Sequence, residues 1–102
     1  MDPRKMMKQV AKMQADLAKA QEELAEATVE GTAGGGIVKI TMSGGGELQG
    51  VKIDPKAIDP DDPSLLEDLI LAAFHEASRA QQELAEEQLG GLTGGLNIPG
   101  LT

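Results

Sequence analysis

The sequence predicts an α+β fold of one domain, in which a long helix, three short antiparallel strands and a second long helix follow one another. Two segments carry apolar residues at heptad spacing, which is typical of long packed helices. Between them, glycine-bounded runs rich in β-branched residues predict strands. One Phe and no Trp or Tyr among 102 residues leave little bulk for the core of a monomer. Because short chains bury a modest fraction of their surface, we expect an obligate oligomer.

The first helix is predicted over residues 4 to about 28. Asp2 can cap it, Pro3 suits its first position, and its interior consists of good helix formers without glycine. Its apolar residues step alternately by four and three, and we call them the first-helix seam: Met6, Val10, Met13, Leu17, Ala20, Leu24 and Ala27. A helix of this length extends for about 36 Å, more than three short strands can cover. The seam is therefore expected to meet another long helix, from the same chain, from a partner chain, or from both.

Three strands are predicted over residues 28–32, 37–42 and 48–53. In the second, apolar residues recur at every other position, as in a strand with one buried face. The segment "SGGGE" before the third strand predicts a hairpin turn, because glycine allows positive φ. In the third strand the apolar phase slips at Gly50, which predicts a β-bulge there.

The glycine-rich segments also raise the question of a phosphate-binding loop. Gly31 and Gly36 have P-loop spacing, but Ile37 and Val38 stand where the motif requires Lys and Ser or Thr. A dinucleotide-binding fingerprint requires a helix directly after the glycines, whereas a strand is predicted here. We therefore expect these glycines to form turns.

A second helix follows a connector rich in Pro and Asp, residues 54–64. It is predicted to begin at Asp62-Pro63 or at the capping box Ser64-x-x-Glu67, and to run to about Gln88. It carries a heptad stripe of its own: Leu66, Ile70, Ala73, Ala77, Ala80 and Leu84. Residues 1–88 are thus predicted to form the domain, and the glycine-rich residues 89–102 a flexible tail.

The residues that enzymes use for catalysis are few. The absence of Cys excludes disulfides, thiolate zinc sites and cysteine nucleophiles. The single histidine, His75, has no nucleophile near it in the sequence, and a surface or interface position is favoured for it. The connector carboxylates lack the central Gly and terminal Glu of a calcium loop, so we expect them to cap turns. We expect no enzymatic activity, cofactor, metal or small-molecule substrate.

No signal segment or membrane-spanning run is visible, which favours a cytoplasmic protein without a membrane partner.

A basic stripe on the first helix is the sharpest functional signal. Residues 1–20 carry a net charge of +3, although the whole chain carries −8. At 100° per residue, its four lysines fall within an arc of about 60°, away from the apolar seam. We assign the candidate DNA-binding residues to this helix: Arg4, Lys5, Lys8, Lys12 and Lys19. These cations could contact phosphates, or they could form a solvated face that keeps a coiled coil soluble. With no Trp or Tyr, and a single Phe that we expect to be buried, the chain offers no side chains for base stacking. DNA binding would therefore rest mainly on backbone contacts to a duplex.

Longer segments resemble a known family. The segments "GGGIVKITMSGGGELQGVKIDPKAI" and "DPDDPSLLEDLILAAFHEASRAQ" resemble the bacterial YbaB/EbfC family of nucleoid-associated proteins, and the opening helix "RKMMKQVAKMQADLAKAQEELA" is similar too. The resemblance implies an intertwined homodimer with protruding helices, duplex DNA binding in the nucleoid, a role in gene regulation and no enzymatic cofactor. His75 departs from the family, which commonly has Asn there. The acidic surface of the second helix favours the first helix as the DNA site.

A different class of function is consistent with the same features. The heptad seams or the apolar residues of the tail could capture another protein, in which case the chain would be a coiled-coil-like interaction module that does not bind DNA directly. The lysine stripe would then only increase solubility.

Overall fold

The computed structural model describes residues 2–93. The elements follow in the predicted order: α1 (Pro3–Glu26), β1 (Thr28–Ala33), β2 (Val38–Ser43), β3 (Leu48–Ile53), a 3₁₀ turn (Pro55–Ala57) and α2 (Pro63–Thr93). This arrangement confirms the α+β fold class. The second helix is longer than predicted, since it ends at Thr93 rather than near Gln88. The first residues of the predicted tail, up to Thr93, are therefore helical, and residues 94–102 lie outside the described part of the chain.

The sheet is antiparallel in the order β1-β2-β3. The register shifts between β2 and β3, because Gly50 lies opposite Thr41 while Leu48 lies opposite Met42. Gln49 is thus the extra residue of a bulge, one position before the predicted Gly50. Three consecutive glycines with positive φ, Gly34–Gly36, turn the chain from β1 into β2, so the glycines act as turn residues.

The core lies between α2 and the first two strands. Val38, Ile40 and Met42 alternate along β2 toward α2, where they pack with Ala73 and Ala77. The small alanines let the helix approach the sheet closely. At Gly31 a Cβ atom would overlap the carbonyl oxygen of Ala73 and the amide nitrogen of Ala77. The glycine is therefore required here by space rather than by φ.

The two ends of the sheet define the long axis of the molecule. α2 passes the β1–β2 turn at Leu69, beside Gly34. It reaches the opposite end of the sheet at Gln81, whose side-chain amide donates a 2.7 Å hydrogen bond to the carbonyl of Gly44. At that same end Gly44 donates through its N–H to the carbonyl of Ala27, directly after α1. Both helices therefore continue beyond the end of the sheet that holds the β2–β3 turn.

The result is an elongated chain. It measures 71 × 27 × 16 Å, with a radius of gyration of 19.5 Å, against about 13 Å for a compact domain of 100 residues. Within α1 only Ala20 and Leu24 are buried, and every residue from 3 to 19 is exposed. We call residues 3–19 the helical arm.

Candidate nucleic-acid interface

The predicted cations lie together on the helical arm. α1 is continuous over 24 residues, so the helical phase of Lys5, Lys8, Lys12 and Lys19 holds, and these side chains share one side of the helix within about 60°. Arg4 lies about 40° beyond Lys8 on the same side. All five side chains are exposed. The structure thus brings every predicted site residue onto one accessible side of the helix. We call these five residues the arm cations.

The N-terminus of the arm is fixed by its cap. A carboxylate oxygen of Asp2 accepts a 3.0 Å hydrogen bond from the backbone N–H of Arg4, and Pro3 occupies the first turn. This cap satisfies one of the free N–H groups at the helix start. The helical geometry, and with it the alignment of Lys5 and Lys8, is therefore supported from the first turn onward.

The charges on α1 run against the order that would stabilise an isolated helix. The helix dipole favours acidic residues at the N-terminus and basic ones at the C-terminus. α1 has no acidic residue in its first turn and no basic residue in its last. Four of its five cations lie in the N-terminal, positive half, Lys19 lies past the midpoint, and Glu22, Glu23 and Glu26 follow near the C-terminus. A face that served only helix stability or solubility would not require this order, so the arrangement favours a partner that carries negative charge.

The apolar side of the arm is a separate surface. Met6, Val10, Met13 and Leu17 of the first-helix seam are between 44% and 54% exposed. If Lys5 is placed at 0° around the helix axis, the seam centres near 90°, about 120° from the centre of the four lysines. A partner helix could therefore cover the seam without covering the arm cations.

The connector carboxylates that were weighed as a calcium loop have structural roles. Three connector carboxylates accept hydrogen bonds from nearby groups: Asp54 from the N–H of Lys56, Asp59 from the N–H of Asp61, and Asp62 from the hydroxyl of Ser64. They cap turns, as expected. Within residues 2–93 no group of three or more potential ligands is placed to hold a metal ion. Over the same residues, no helix has the length and apolar character needed to cross a bilayer.

Two further cations were missed by the sequence reasoning. Lys39 and Lys52 are directly opposite each other on β2 and β3 and line one cavity. The period-two pattern identified the apolar face of β2, and the same pattern would have placed Lys39 on the other face. The pairing with Lys52 depends on the register after the bulge at Gln49, which the sequence alone does not determine.

Comparison with known proteins decides the family. The sequence profile of the YbaB/EbfC DNA-binding family matches residues 1–96. The chain belongs to the YbaB/EbfC family. It is 57% identical over 97 residues to a nucleoid-associated protein from Desulforamulus reducens, covering 95% of this chain and 92% of the relative. It is 51% identical over 107 residues to a nucleoid-associated protein from Saccharopolyspora erythraea, covering 96% and 92%.

A solved structure supports the fold of this YbaB/EbfC chain. The crystal structure of an uncharacterized protein from Helicobacter pylori superposes with a TM-score of 0.80 at 20% identity, covering 92% of this chain and 99% of that one. At this identity the likeness concerns the fold alone. The family resemblance of the sequence segments is confirmed, and the nucleoid-associated, DNA-binding character of the family follows from the profile and the relatives' names.

Proposed function

We propose that this chain is a non-enzymatic, homodimeric protein that binds duplex DNA through phosphate contacts of the arm cations, and that it acts in the nucleoid with an effect on gene expression. The observation that carries the proposal is five exposed cations on one side of a protruding helix, in a chain whose net charge is −8. An acidic protein would be repelled by DNA unless its cations were gathered in this way.

The contact with DNA is expected to be electrostatic and weakly sequence-selective. Lys and Arg that neutralise phosphates release condensed counterions, and this gain does not depend on base sequence. The arm carries Gln9 and Gln14 as potential readers of base edges. Phosphate contacts therefore position the protein, and base contacts add little.

The dimer is supported by apolar surface that the single chain leaves exposed. The arm half of the first-helix seam is one such surface. A second lies on α2, where Leu71 and Phe74 are three positions apart, with Leu71 55% and Phe74 39% exposed. Because residues three apart are neighbours on a helix surface, the two side chains form one apolar patch. Exposed apolar patches are typical of interaction sites. A second copy of this chain would cover them and would present two sets of arm cations to DNA, so that two weak contacts would act together.

The test is a gel shift on two unrelated duplexes across a salt titration. Binding should fall steeply between about 50 and 200 mM salt and be similar for both duplexes. Replacing Lys5, Lys8 and Lys12 with Glu should abolish the shift while light scattering still reports the dimer. As a matched control, replacing Glu83, Glu86 and Glu87 with Gln changes three exposed charges on α2 and should preserve binding. A shift that survives the lysine replacements would contradict the assignment to the arm.

A further inference from the structure

A second basic cluster lies at the end of the sheet that faces away from the arm. Lys39 and Lys52 are cross-strand partners, and both line a cavity of about 320 Å³ together with Gly36, Asp54 and other residues. Lys56 follows in the 3₁₀ turn directly after β3. We call Lys39, Lys52 and Lys56 the sheet-corner patch. Eight of the nine cations of the chain thus belong either to the arm or to this patch.

The pairing of the two strand lysines is unfavourable without a bound anion. Like charges directly opposite each other on neighbouring strands repel. Among residues 2–93 neither lysine forms an ion pair. The carboxylate of Asp54 also lines the cavity, and it accepts a 2.9 Å hydrogen bond from the backbone N–H of Lys56. The two lysines that line the cavity outnumber its one carboxylate, Asp54, and Lys56 follows closely in the chain. A phosphate group would relieve the repulsion between Lys39 and Lys52.

The patch and the arm lie at opposite ends of the molecule. The patch is next to the β1–β2 turn, whereas α1 joins the sheet beside Gly44, at the far end of β2. The arm extends farther in that direction, along a molecule 71 Å long. Exposed carboxylates occupy the stretch between them on both helices: Glu22, Glu23, Glu26, Glu76, Glu83, Glu86 and Glu87. A duplex laid along the whole molecule would bring its phosphates close to these carboxylates, which favours separate contacts at the two ends.

We infer that the sheet-corner patch binds the phosphate backbone of a second duplex, so that one molecule bridges two DNA segments. This inference rests on the proposed function of the arm, which supplies the first contact. The ligand class is the same at both ends, because lysines recognise phosphate charge rather than base sequence. With three cations instead of five, the patch should bind more weakly and should release its duplex at lower salt than the arm does.

The experiment separates binding of one duplex from bridging of two. Binding is measured by gel shift on a duplex of about 12 base pairs, roughly 41 Å at 3.4 Å per pair, too short to span the molecule. Bridging is measured as the capture of a fluorescent duplex by bead-tethered duplex at low salt. Lys39, Lys52 and Lys56 are replaced together with Gln. The matched control replaces the same lysines with Arg, which keeps the charge.

The inference predicts that the Gln variant shifts the short duplex within about 2-fold of the unaltered chain but loses bridging at least about 10-fold. The Arg variant should bridge normally. Bridging that persists in the Gln variant would overturn the inference, as would a loss of the gel shift in parallel with bridging, since the lysines would then belong to the footprint of one duplex.

Two further outcomes distinguish failure of the bridging inference from failure of the proposed function. If the unaltered chain shifts the short duplex but does not bridge, the inference fails and the proposed function stands. If it shifts no duplex at low salt, both fail. A nuclear magnetic resonance titration with inorganic phosphate completes the test. Saturable shifts at the amides of Lys39 and Lys52, without bridging, would assign the patch to free phosphate and contradict the role in bridging.

Discussion

Replacing Gly31 with Ala tests how the helix and the sheet are held together. The new Cβ would overlap the carbonyl oxygen of Ala73 and the amide nitrogen of Ala77, and it would lie 2.9 Å from the Cα of Ala77. All three are backbone atoms of α2, so no side-chain rotation can relieve the overlap. The helix must move away from the part of the sheet that holds Val38 and Ile40, the largest fully buried side chains.

The cost should lie at the upper end of the range for overpacked cores, about 3 kcal/mol. For a domain of this size, that loss lowers the melting temperature by roughly 12–24 °C, at 4–8 °C per kcal/mol. Urea unfolding followed by circular dichroism measures the loss in the free energy of unfolding. The protein concentration is held fixed, because the stability of a dimer depends on concentration. The control is Gly50→Ala, where an added Cβ meets no atom within 4 Å. Equal stability of the two variants would refute the close packing of α2 on β1.

Two further predictions concern the arm and its surroundings. Leu17→Glu places a charge in the first-helix seam and should shift light scattering from dimer toward monomer at micromolar concentration. Met7→Glu, on a side chain 72% exposed and about 110° from the seam, should leave the dimer intact, and a dimer insensitive to both changes would show that the seam is not the interface. Replacing Glu22, Glu23 and Glu26 with Gln should tighten DNA binding up to about tenfold at low salt, because these carboxylates lie on the same side of α1 as the lysines. Unchanged or weaker binding in the gel shift would contradict a DNA contact on this side of α1.

Local sequence rules accounted for much of the fold. Three predictions depend on a few neighbouring residues, and the structure agrees with them: the cap at Asp2 and Pro3, the turn glycines and the period-two alternation of β2. Of the two predicted starts of α2, the helix begins at Pro63. The predicted end of α2 is wrong, because Gly90 and Gly91 favour a stop that the helix does not make. Each glycine costs a helix about 1 kcal/mol relative to Ala, yet the helix runs on to Thr93.

Features that depend on tertiary placement could be predicted only in part. Heptad spacing identified the face of α1 that carries Met6 and Leu17, but spacing does not say which helix covers it or how much stays exposed. The alignment of the arm cations follows from helical phase alone and was predictable. The sheet-corner patch was not, because Lys39 and Lys52 are far apart in sequence and meet only through the register of β2 and β3.

The central claim is that the arm cations bind DNA phosphates, and the salt dependence of binding tests it most directly. Each phosphate contact contributes about 0.9 to the slope of log K against log salt concentration, so five arm cations give a slope near −4.5 for each copy. Replacing Lys5, Lys8 and Lys12 with Gln should reduce the magnitude of the slope by about 2.7 per copy engaged. A gel-shift titration of both proteins from about 50 to 200 mM salt measures this difference. Two parallel lines would contradict the account, because the lysines would then make no phosphate contact.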